Sequence, residues 1–536
     1  MNRIDLRFQH GFEWVSSGNI ALKGYVFDKE GEFFAAQEAV RLFHPVDGIK
    51  ALEKILKQVD GVFTLVIDLP EGTLIATDPI CGFPLFYTKK NGAWMISDHV
   101  DAFKEQKSHW EFNEAALPEF LSAGFVLGNE TLVRDIIRTQ AAEILCLHHN
   151  GNKEQKQYYW FLPDHFSNQK KSVLKQELKS ILQNTTNRLI KSLEGKTAVV
   201  PLSGGYDSRL IACMLKNAGY EQTICFTYGR PNKESEISKR VAEALGFKWF
   251  FVDYSKINTN DFTADPGFID YCNYAGNISS MPYLQEYFAV KHLKENKLIP
   301  ENSIFIPGHT GDYIAGSYLE KTIRTKRNRL HNDGKTIAAR YFNFLPLSSH
   351  HSQIIKDRIE RWFGNYTHPV FEASSNYDAT TEDWDLKEKF SKFIFNSSQV
   401  FPFFGYQFRF PLWDAKLRTF FRRLPFELRK YKVLYDEVIQ EEYFIPANVF
   451  FHQEELNVKP SALRFKNLRD KLKFLVPHAL KRNRLKNRDY LCYHVFTGEM
   501  KRSLIDKGVK VPARINSYNT LICLWYSEII RQKLTS

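Results

Sequence analysis

The chain has 536 residues, of which 43% are hydrophobic and 25% charged, so it is too long for a single core and too apolar to be disordered. Its formal net charge is +12, and much of the excess lies between Arg464 and Arg488. A basic run of this kind is typical of a solvated helical face, although it could contact an anionic surface. Because aromatic residues are sparse in that run, we do not expect the chain to bind nucleic acid.

Cysteine usage and hydropathy favour a cytoplasmic protein. The seven cysteines are scattered and never form a Cys-x-x-Cys pair, which argues against both a disulfide framework and a zinc site. The residues that follow Met1 lack the apolar stretch of a secretory signal. No window approaches the roughly 18 apolar residues that a membrane-spanning helix needs. The sequence leaves the oligomeric state open.

Short β-like runs separated by turns fill the region from Gly18 to about Asp98. The pattern predicts strands over Ile20–Phe27 and Val62–Ile67, with a helix over Ala39–Val59 between them. Three further strands are predicted at Leu74–Thr77, Leu85–Tyr87 and Trp94–Ser97. We expect residues 1–165 to form an α+β domain.

Strands and helices alternate from about Ser172 onward. A helix-like segment leads to Thr197–Leu202, an apolar run that fits a strand buried on both faces. The next predicted elements are Thr223–Thr227 (strand), Glu234–Leu245 (helix), Trp249–Val252 (strand) and Ser303–Ile306 (strand). This alternation predicts an α/β fold with a doubly wound parallel sheet, followed by mainly helical structure. We assign it to residues 172–460 and expect a basic helical extension over residues 461–536.

A glycine-rich loop follows the first strand of this sheet and opens a helix. Gly204 and Gly205 allow the backbone to approach a phosphate closely, and successive amides can converge on that phosphate at the positive end of the helix. The hydroxyls of Ser203 and Ser208 can add hydrogen-bond donors, and Asp207 can hold a magnesium ion that bridges phosphates. The loop predicts a site for ATP and Mg²⁺, with an ordinary capped glycine turn as the alternative.

The loop is neither a Walker motif nor a dinucleotide fingerprint. Ser-Gly-Gly-x-Asp-Ser after a strand resembles the pyrophosphate loop of the ATP pyrophosphatase superfamily, whose members cleave ATP between the α and β phosphates and adenylate an acceptor. Three later segments resemble the asparagine synthetase family in the same order, namely Phe226–Gly229, Pro307–Tyr318 and Pro411–Asp414. The resemblance extends from about Lys196 to Lys459.

The resemblance implies roles for several residues. Asp207 and Asp312 would be the two magnesium-binding carboxylates. Gly308 would lie near the nucleotide, and Thr227 belongs to the segment that lies beside the adenine in this family. A late lysine would neutralise charge on the reacting phosphorus; Lys459 is the first candidate for this lysine and Lys432 is its competitor.

Two residues depart from the family pattern. His309 stands where the family has a glutamate that helps to handle the incoming amine, and Tyr313 replaces a second acidic residue. The loss of the glutamate puts asparagine formation from aspartate in doubt. His309 could act as a base with a pKa near neutrality, or it could cap the turn as a structural residue.

The first domain resembles the glutaminase domain of the same family through Gly61–Asp68 and Ala76–Tyr87. The resemblance implies an Ntn-type sandwich, but Asn2 stands where a glutaminase needs its nucleophilic cysteine. The family's Asn-Gly oxyanion motif is also missing, and we expect Cys81 to be a core residue. The sequence therefore predicts no glutamine hydrolysis, an arrangement that resembles β-lactam synthetase and the lasso-peptide cyclases.

The leading hypothesis is an ATP-dependent ligase that adenylates a carboxylate, releases pyrophosphate and joins the acyl group to ammonia or an amine. The carboxylate could belong to a small molecule, a peptide or a glycan. One alternative is ordinary asparagine synthesis from aspartate and ammonia. A second is a non-catalytic ATP-binding scaffold. A nucleic-acid-modifying pyrophosphatase would explain the basic run but not the glutaminase-like first domain.

Overall fold

The computed structural model describes residues 2–103, 110–163, 165–317, 319, 333–364, 377–451 and 489–535. The strands in these ranges form three sheets of four, seven and five strands. None of the helices in the same ranges is both long enough and apolar enough to cross a lipid bilayer. The predicted lysine Lys459 and the basic run between Arg464 and Arg488 lie outside the described residues.

Two sheets and three helices make up the first part of the chain. The strands are Arg3–Asp5 (β1), Trp14–Ser17 (β2), Ile20–Phe27 (β3), Phe33–Ala35 (β4), Asp60–Leu69 (β5), Gly72–Thr77 (β6), Phe86–Lys90 (β7), Ala93–Ser97 (β8), Ile137–Arg138 (β9), Glu143–His148 (β10) and Lys153–Gln157 (β11). The helices are Ala36–Arg41 (α1), Ile49–Leu56 (α2) and Leu117–Ala123 (α3).

The two sheets pack face to face, which confirms the predicted sandwich. The larger sheet is antiparallel and runs in the order β11-β10-β6-β5-β3-β2, with β4 paired to β3, while the smaller runs β1-β8-β7-β9. Val66 and Leu145 of the larger sheet are packed in one core with Tyr87 and Ile96 of the smaller. The opposite face of the larger sheet is covered by apolar residues of α1 and α2.

The prediction of a single helix over Ala39–Val59 is wrong, because the segment contains two short helices, α1 and α2. The break between α1 and α2 contains Pro45, which has no amide hydrogen for a helical hydrogen bond. Gly48, the residue before α2, has an extended backbone. The apolar spacing that predicted a helix is real, since Leu52 and Leu56 are buried, but it covers only the second half of the segment.

The second part of the chain is built on a parallel sheet, as predicted, and this sheet has five strands, one more than the sequence analysis gave. They are Ala198–Pro201 (β12), Thr223–Gly229 (β13), Lys248–Asp253 (β14), Ile304–Phe305 (β15) and Gln407–Phe408 (β16). The order is β14-β13-β12-β15-β16, and all neighbours are parallel. The chain therefore moves outward from β12 to β14 and then returns to the other side of β12. Ligands of such sheets bind beyond the carboxyl ends of the strands where the order reverses, here between β12 and β15.

Helices make up most of the remaining described residues. They are Lys171–Leu193 (α4), Tyr206–Asn217 (α5), Lys233–Leu245 (α6), Pro266–Gly276 (α7), Tyr287–Glu295 (α8), Gly311–Ile314 (α9), Asp333–Tyr341 (α10), Ser349–Gly364 (α11), Tyr377–Asp385 (α12), Val400–Phe403 (α13), Ala415–Arg423 (α14), Phe426–Arg429 (α15), Val433–Ile439 (α16), Tyr493–Asp506 (α17) and Asn519–Thr535 (α18). Two π-helical segments follow α12 and α16, at Leu386–Ile394 and Gln440–Phe444.

Buried polar contacts join the two parts of the chain. The ammonium of Lys392 donates hydrogen bonds to the carbonyls of Val126 and Gly128 and pairs with Glu388 at 2.6 Å. Both members of this pair are almost completely buried, so removal of either one would leave an unpaired charge at a cost of about 3–5 kcal/mol. The first sandwich is therefore held firmly against the helices that surround the parallel sheet.

The last two described helices belong to the main core. Trp525 and Tyr526 of α18 are almost completely buried, and the ring of Trp525 lies 5.6 Å from that of Phe268 in α7. The Tyr526 hydroxyl accepts a hydrogen bond from the amide of Ile278 at 3.1 Å. Residues 489–535 are thus packed with the parallel-sheet core, while the boundaries at 165, 172 and 460 stay a prediction.

Candidate active site at the carboxyl edge of the parallel sheet

The loop between β12 and α5 is closed by its own serines. The amide of Ser203 donates to the hydroxyl of Ser208 at 3.0 Å, and the two hydroxyl oxygens are also 3.0 Å apart. The amide of Gly205 donates to the Ser203 hydroxyl at 3.2 Å. These bonds fold the loop back on the first turn of α5, where the amide hydrogens that begin a helix and the helix dipole favour an anion. The loop thus has the shape expected of a phosphate cradle, and its binding of a phosphate stays a prediction.

The loop that follows β15 passes very close to this first turn. A side-chain carbon at Gly308 would lie 2.7 Å from the amide nitrogen of Ser208, and one at Gly311 would lie 2.6 Å from the carboxyl of Asp207. Neither distance leaves room for a methyl group, so both positions require glycine in this arrangement. Thr310 between them has a positive φ of 83°. The two loops therefore form one surface on either side of the point where the strand order reverses.

Asp207 connects the two loops. Its carboxylate accepts hydrogen bonds from the amide of Asp312 at 2.7 Å and from the hydroxyl of Tyr435 at 3.0 Å. Burial and then the neighbouring charge of Asp312 raise the pKa of Asp207 to about 7. A cation placed between the two carboxylates would favour the ionised form of both.

The donor set fits a magnesium ion that is completed by its substrate. Mg²⁺ prefers oxygen ligands and is commonly held by one or two carboxylates together with phosphate oxygens. Asp207 and Asp312 supply two carboxylates next to the phosphate cradle. The described residues contain no cluster of three or more His, Cys, Asp or Glu that could hold a metal ion without a ligand. A metal at this place would therefore depend on a bound polyphosphate.

Lys432 reaches the same place from the helical region. Its ammonium lies 2.5 Å from a carboxylate oxygen of Asp312 and 3.4 Å from one of Asp436. Burial lowers the pKa of Lys432, but the two carboxylates raise it by more, so the net shift is upward and the side chain stays charged. Tyr431 and Lys432 both have positive φ values, of 58° and 61°, which are strained for such residues. The backbone thus holds this ammonium in the site at an energetic cost.

His309 lines the site as a neutral imidazole. Its Nδ1 lies 3.2 Å from the Ser398 hydroxyl, and its ring lies 6.1 Å from that of Phe410. Burial lowers the pKa of His309 to about 4, in contrast to the near-neutral value that would suit a base. The geometry is that of a turn residue held by one hydrogen bond.

Two other residues from the sequence analysis face away from the cleft. The hydroxyl of Tyr313 is buried and donates to the backbone carbonyl of Glu382. The hydroxyl of Thr227 donates to the carbonyl of Leu202 at 2.7 Å and accepts from the indole nitrogen of Trp249 at 3.0 Å. Thr227 therefore joins the ends of neighbouring strands, and the side chain of Tyr228 lines the cleft in its place.

The loops enclose an open cleft with a volume of about 980 Å³. Nine residues that the sequence analysis proposed for the site line this cleft, namely Ser203, Gly204, Gly205, Asp207, Ser208, Gly308, His309, Asp312 and Lys432. The sequence analysis gave no individual role to several other polar residues that line the cleft, among them Tyr228, Lys233, Glu234, Gln285, Glu286 and Asp436. One signal was available: Asn232 and Ser235 form a capping box that starts α6 at this edge of the sheet.

The first domain holds Asn2 in a structural role. The side-chain amide of Asn2 donates hydrogen bonds to the backbone carbonyl of Leu147 at 2.6 Å and to the hydroxyl of Thr73 at 3.1 Å. Cys81 is buried, and burial raises the pKa of its thiol to about 11, so the thiolate is not formed at neutral pH. Neither residue presents an activated nucleophile.

Two protein families match this chain. Residues 48–160 match the glutamine amidotransferase domain, and residues 177–435 match asparagine synthase. The microcin J25-processing protein McjC of Escherichia coli is 24% identical over 281 residues, which cover 50% of this chain and 49% of that protein. The chain thus spans about half the length of this curated relative.

Solved structures give only weak likenesses. The U34-tRNA thiolase NcsA from Methanococcus maripaludis, with its [4Fe-4S] cluster, is 14% identical and covers 42% of this chain and 79% of its own, with a TM-score of 0.19. The glutamine phosphoribosylpyrophosphate amidotransferase from B. subtilis, complexed with ADP and GMP, is 10% identical and covers 56% of this chain and 58% of its own, with a TM-score of 0.18. Scores this low carry no argument about the site.

We expect the substitution Gly308→Ala to weaken nucleotide binding by about 10-fold or more, because the added methyl group would push the two loops apart. Binding of a fluorescent, non-hydrolysable ATP analogue in the presence of Mg²⁺ measures the effect. Gly498→Ala is the control, since a side-chain carbon at Gly498 in α17 meets no atom within 4 Å. Equal affinities of the two variants would contradict the arrangement of the loops.

Proposed function

The chain belongs to the asparagine synthetase family, and from this premise we propose that it is an ATP-dependent ligase that adenylates a carboxylate and transfers the acyl group to ammonia or an amine. One observation carries the proposal. A phosphate cradle, two carboxylates and a charged lysine, contributed by three separate segments of the chain, meet at the edge of the sheet where a ligand is expected.

The residues of this cleft suit cleavage between the α and β phosphates. The amides of Gly204 and Gly205 and the hydroxyl of Ser203 would hold the departing pyrophosphate at the start of α5. Asp207 and Asp312 would hold the magnesium ion, which supplies positive charge to the phosphate oxygens when bound. Groups that are already oriented towards developing charge lower the barrier without reorganisation in the reaction step.

We assign the lysine of the adenylation step to Lys432 instead of Lys459. The ammonium of Lys432 lies against Asp312 and stays charged, so it can neutralise negative charge as the carboxylate attacks the α-phosphorus. The match to asparagine synthase also ends at residue 435, after Lys432 and before Lys459.

The nitrogen would be supplied as free ammonia or as an amine of a second substrate. The side chain of Asn2 is engaged in the sheet, and the thiol of Cys81 is buried and protonated. His309 in place of the family's glutamate argues against ordinary asparagine synthesis. The relative McjC is a processing protein for microcin J25. We therefore include the carboxyl groups of peptides among the candidate substrates, beside aspartate and other small acids.

We expect the wild type to exchange labelled pyrophosphate into ATP in a reaction that needs Mg²⁺ and a suitable carboxylate. A panel of aspartate, glutamate, small aliphatic acids and peptides with free carboxyl groups identifies the class. Asp207→Asn should lower the exchange rate by about 100-fold or more, because the amide keeps the hydrogen bond from Asp312 but loses the charge.

Equal AMP production by the wild type and Asp207→Asn, measured by mass spectrometry, would contradict the mechanism. Binding of ATP without exchange for any carboxylate would favour the non-catalytic scaffold. Exchange that depends on aspartate alone would favour asparagine synthesis.

Lys432→Gln should lower kcat for the exchange by about 100-fold, with a much smaller change in the KM for ATP, because the lysine charge is needed most when the phosphorus becomes five-coordinate. Lys430→Gln is the matched control, since Lys430 stands two residues away and packs on the rings of Phe426 and Tyr431. A normal kcat for Lys432→Gln would transfer the role to another lysine.

The enzyme should release no glutamate from glutamine, and product formation should rise with added ammonium or amine and not with glutamine. Coupled detection of glutamate measures the first part, and mass spectrometry of the amide product measures the second. Glutamine-dependent product formation at the rate found with ammonium would show that the first domain has retained a glutaminase site.

A further inference from the structure

Glu286 is a buried acid in the cleft that the adenylation step does not use. It precedes α8, and only 7% of its surface is exposed. One carboxylate oxygen accepts a hydrogen bond from the hydroxyl of Tyr228 at 2.7 Å. The other, Oε2, is buried and has no hydrogen-bond partner among the described residues. Buried polar atoms without a partner are rare and costly, so a ligand that donates a hydrogen bond is expected beside this oxygen.

A network of side chains fixes the direction of this carboxylate. The side-chain amide of Gln285 donates to the Tyr228 hydroxyl at 2.8 Å. The hydrogen of that hydroxyl is therefore directed towards Glu286. The hydroxyl of Tyr283 donates to Gln285 at 3.0 Å, and the rings of Tyr228 and Tyr254 stack at 5.5 Å. Because each member is held by another, Glu286 is oriented before any ligand arrives.

The charge around Glu286 favours a nitrogen donor over an anion. Glu286 and Tyr228 both line the cleft. No ion pair neutralises the Glu286 carboxylate in the described part of the chain. A phosphate or a substrate carboxylate would be repelled, whereas an N–H group would be attracted. Burial raises the pKa of Glu286 to about 7, and the bond from Tyr228 opposes that rise, so the group can accept a proton near neutrality.

We infer that Oε2 of Glu286 binds the attacking nitrogen of the amine substrate and takes up its proton. This inference rests on the proposed ligase function. The nitrogen forms a bond to the acyl carbon, the bond between that carbon and the phosphate oxygen breaks, and AMP leaves with the electron pair. The proton lost by the nitrogen passes to Glu286 and then to solvent.

The assignment also accounts for the residue that is missing after β15. That loop offers His309, an uncharged imidazole bonded to Ser398, where the family pattern has a glutamate. A carboxylate that enters the same cleft from the start of α8 can replace it in the handling of the amine.

The experiment separates the two half-reactions of the enzyme. Pyrophosphate exchange, without an amine, measures adenylation with the carboxylate found in the panel. Hydroxamate formation with increasing hydroxylamine measures the transfer to nitrogen. For Glu286→Gln we expect unchanged exchange and an unchanged KM for ATP, with kcat/KM for hydroxylamine lowered by about 100-fold. Glu295→Gln, the same change at the exposed far end of α8, should leave both reactions unchanged.

Each other result overturns the inference. Normal hydroxamate formation by Glu286→Gln would show that this carboxylate does not contact the amine. A parallel loss of exchange, or a raised KM for ATP, would assign Oε2 to the ribose or adenine of the nucleotide. A lowered melting temperature of Glu286→Gln together with loss of both reactions would make the residue structural. Absence of exchange in the wild type would instead refute the ligase itself, and the inference would fall with it.

Discussion

The hydrogen bond between the amide of Asp312 and the carboxylate of Asp207 is the contact on which the site depends. It joins the loop after β15 to the first turn of α5, two segments that lie 105 residues apart in the chain. The bond forms only because Gly308 and Gly311 lack side chains that would keep the loops apart. Once it is made, the two carboxylates face a common space next to the phosphate cradle, and Lys432 is drawn to it by their charge.

The parallel sheet could be predicted from the sequence because its central strands β12 and β15 are buried and read as continuous apolar runs, and β14 also contains a run of apolar residues. Two edge strands, β11 of the larger antiparallel sheet and β16 of the parallel sheet, could not be predicted. The strand β11, with the sequence Lys-Glu-Gln-Lys-Gln, is almost entirely exposed, and β16 has only two residues, so neither carries an apolar pattern. The error at Ala39–Val59 has a similar origin, since the apolar spacing of α2 was extended across Pro45.

Site residues that lie close together in the sequence could be predicted, and those that lie far apart in the sequence could not. The segment from Ser203 to Ser208 is one continuous loop, and its glycines, hydroxyls and acid suggest their chemistry directly. Tyr435 contacts Asp207 across 228 residues, and Tyr228 contacts Glu286 across 58. No spacing rule connects such residues, because their meeting depends on how helices distant in the sequence return to the sheet, α16 for Tyr435 and the start of α8 for Glu286. Lys432 entered only as the competitor of Lys459 for the same reason.

The burial of α18 beside α7 has a consequence for how the protein is made. Synthesis proceeds from the amino terminus, and the first sandwich and the strands of the parallel sheet leave the ribosome long before Trp525. Until that residue emerges, the apolar surface of α7 around Phe268 has no cover from α18. The nascent chain must therefore keep this surface from aggregating from the synthesis of α7 until α18 emerges, which is a situation in which chaperones typically bind. Closure of the core around α7 is therefore timed by the arrival of α18.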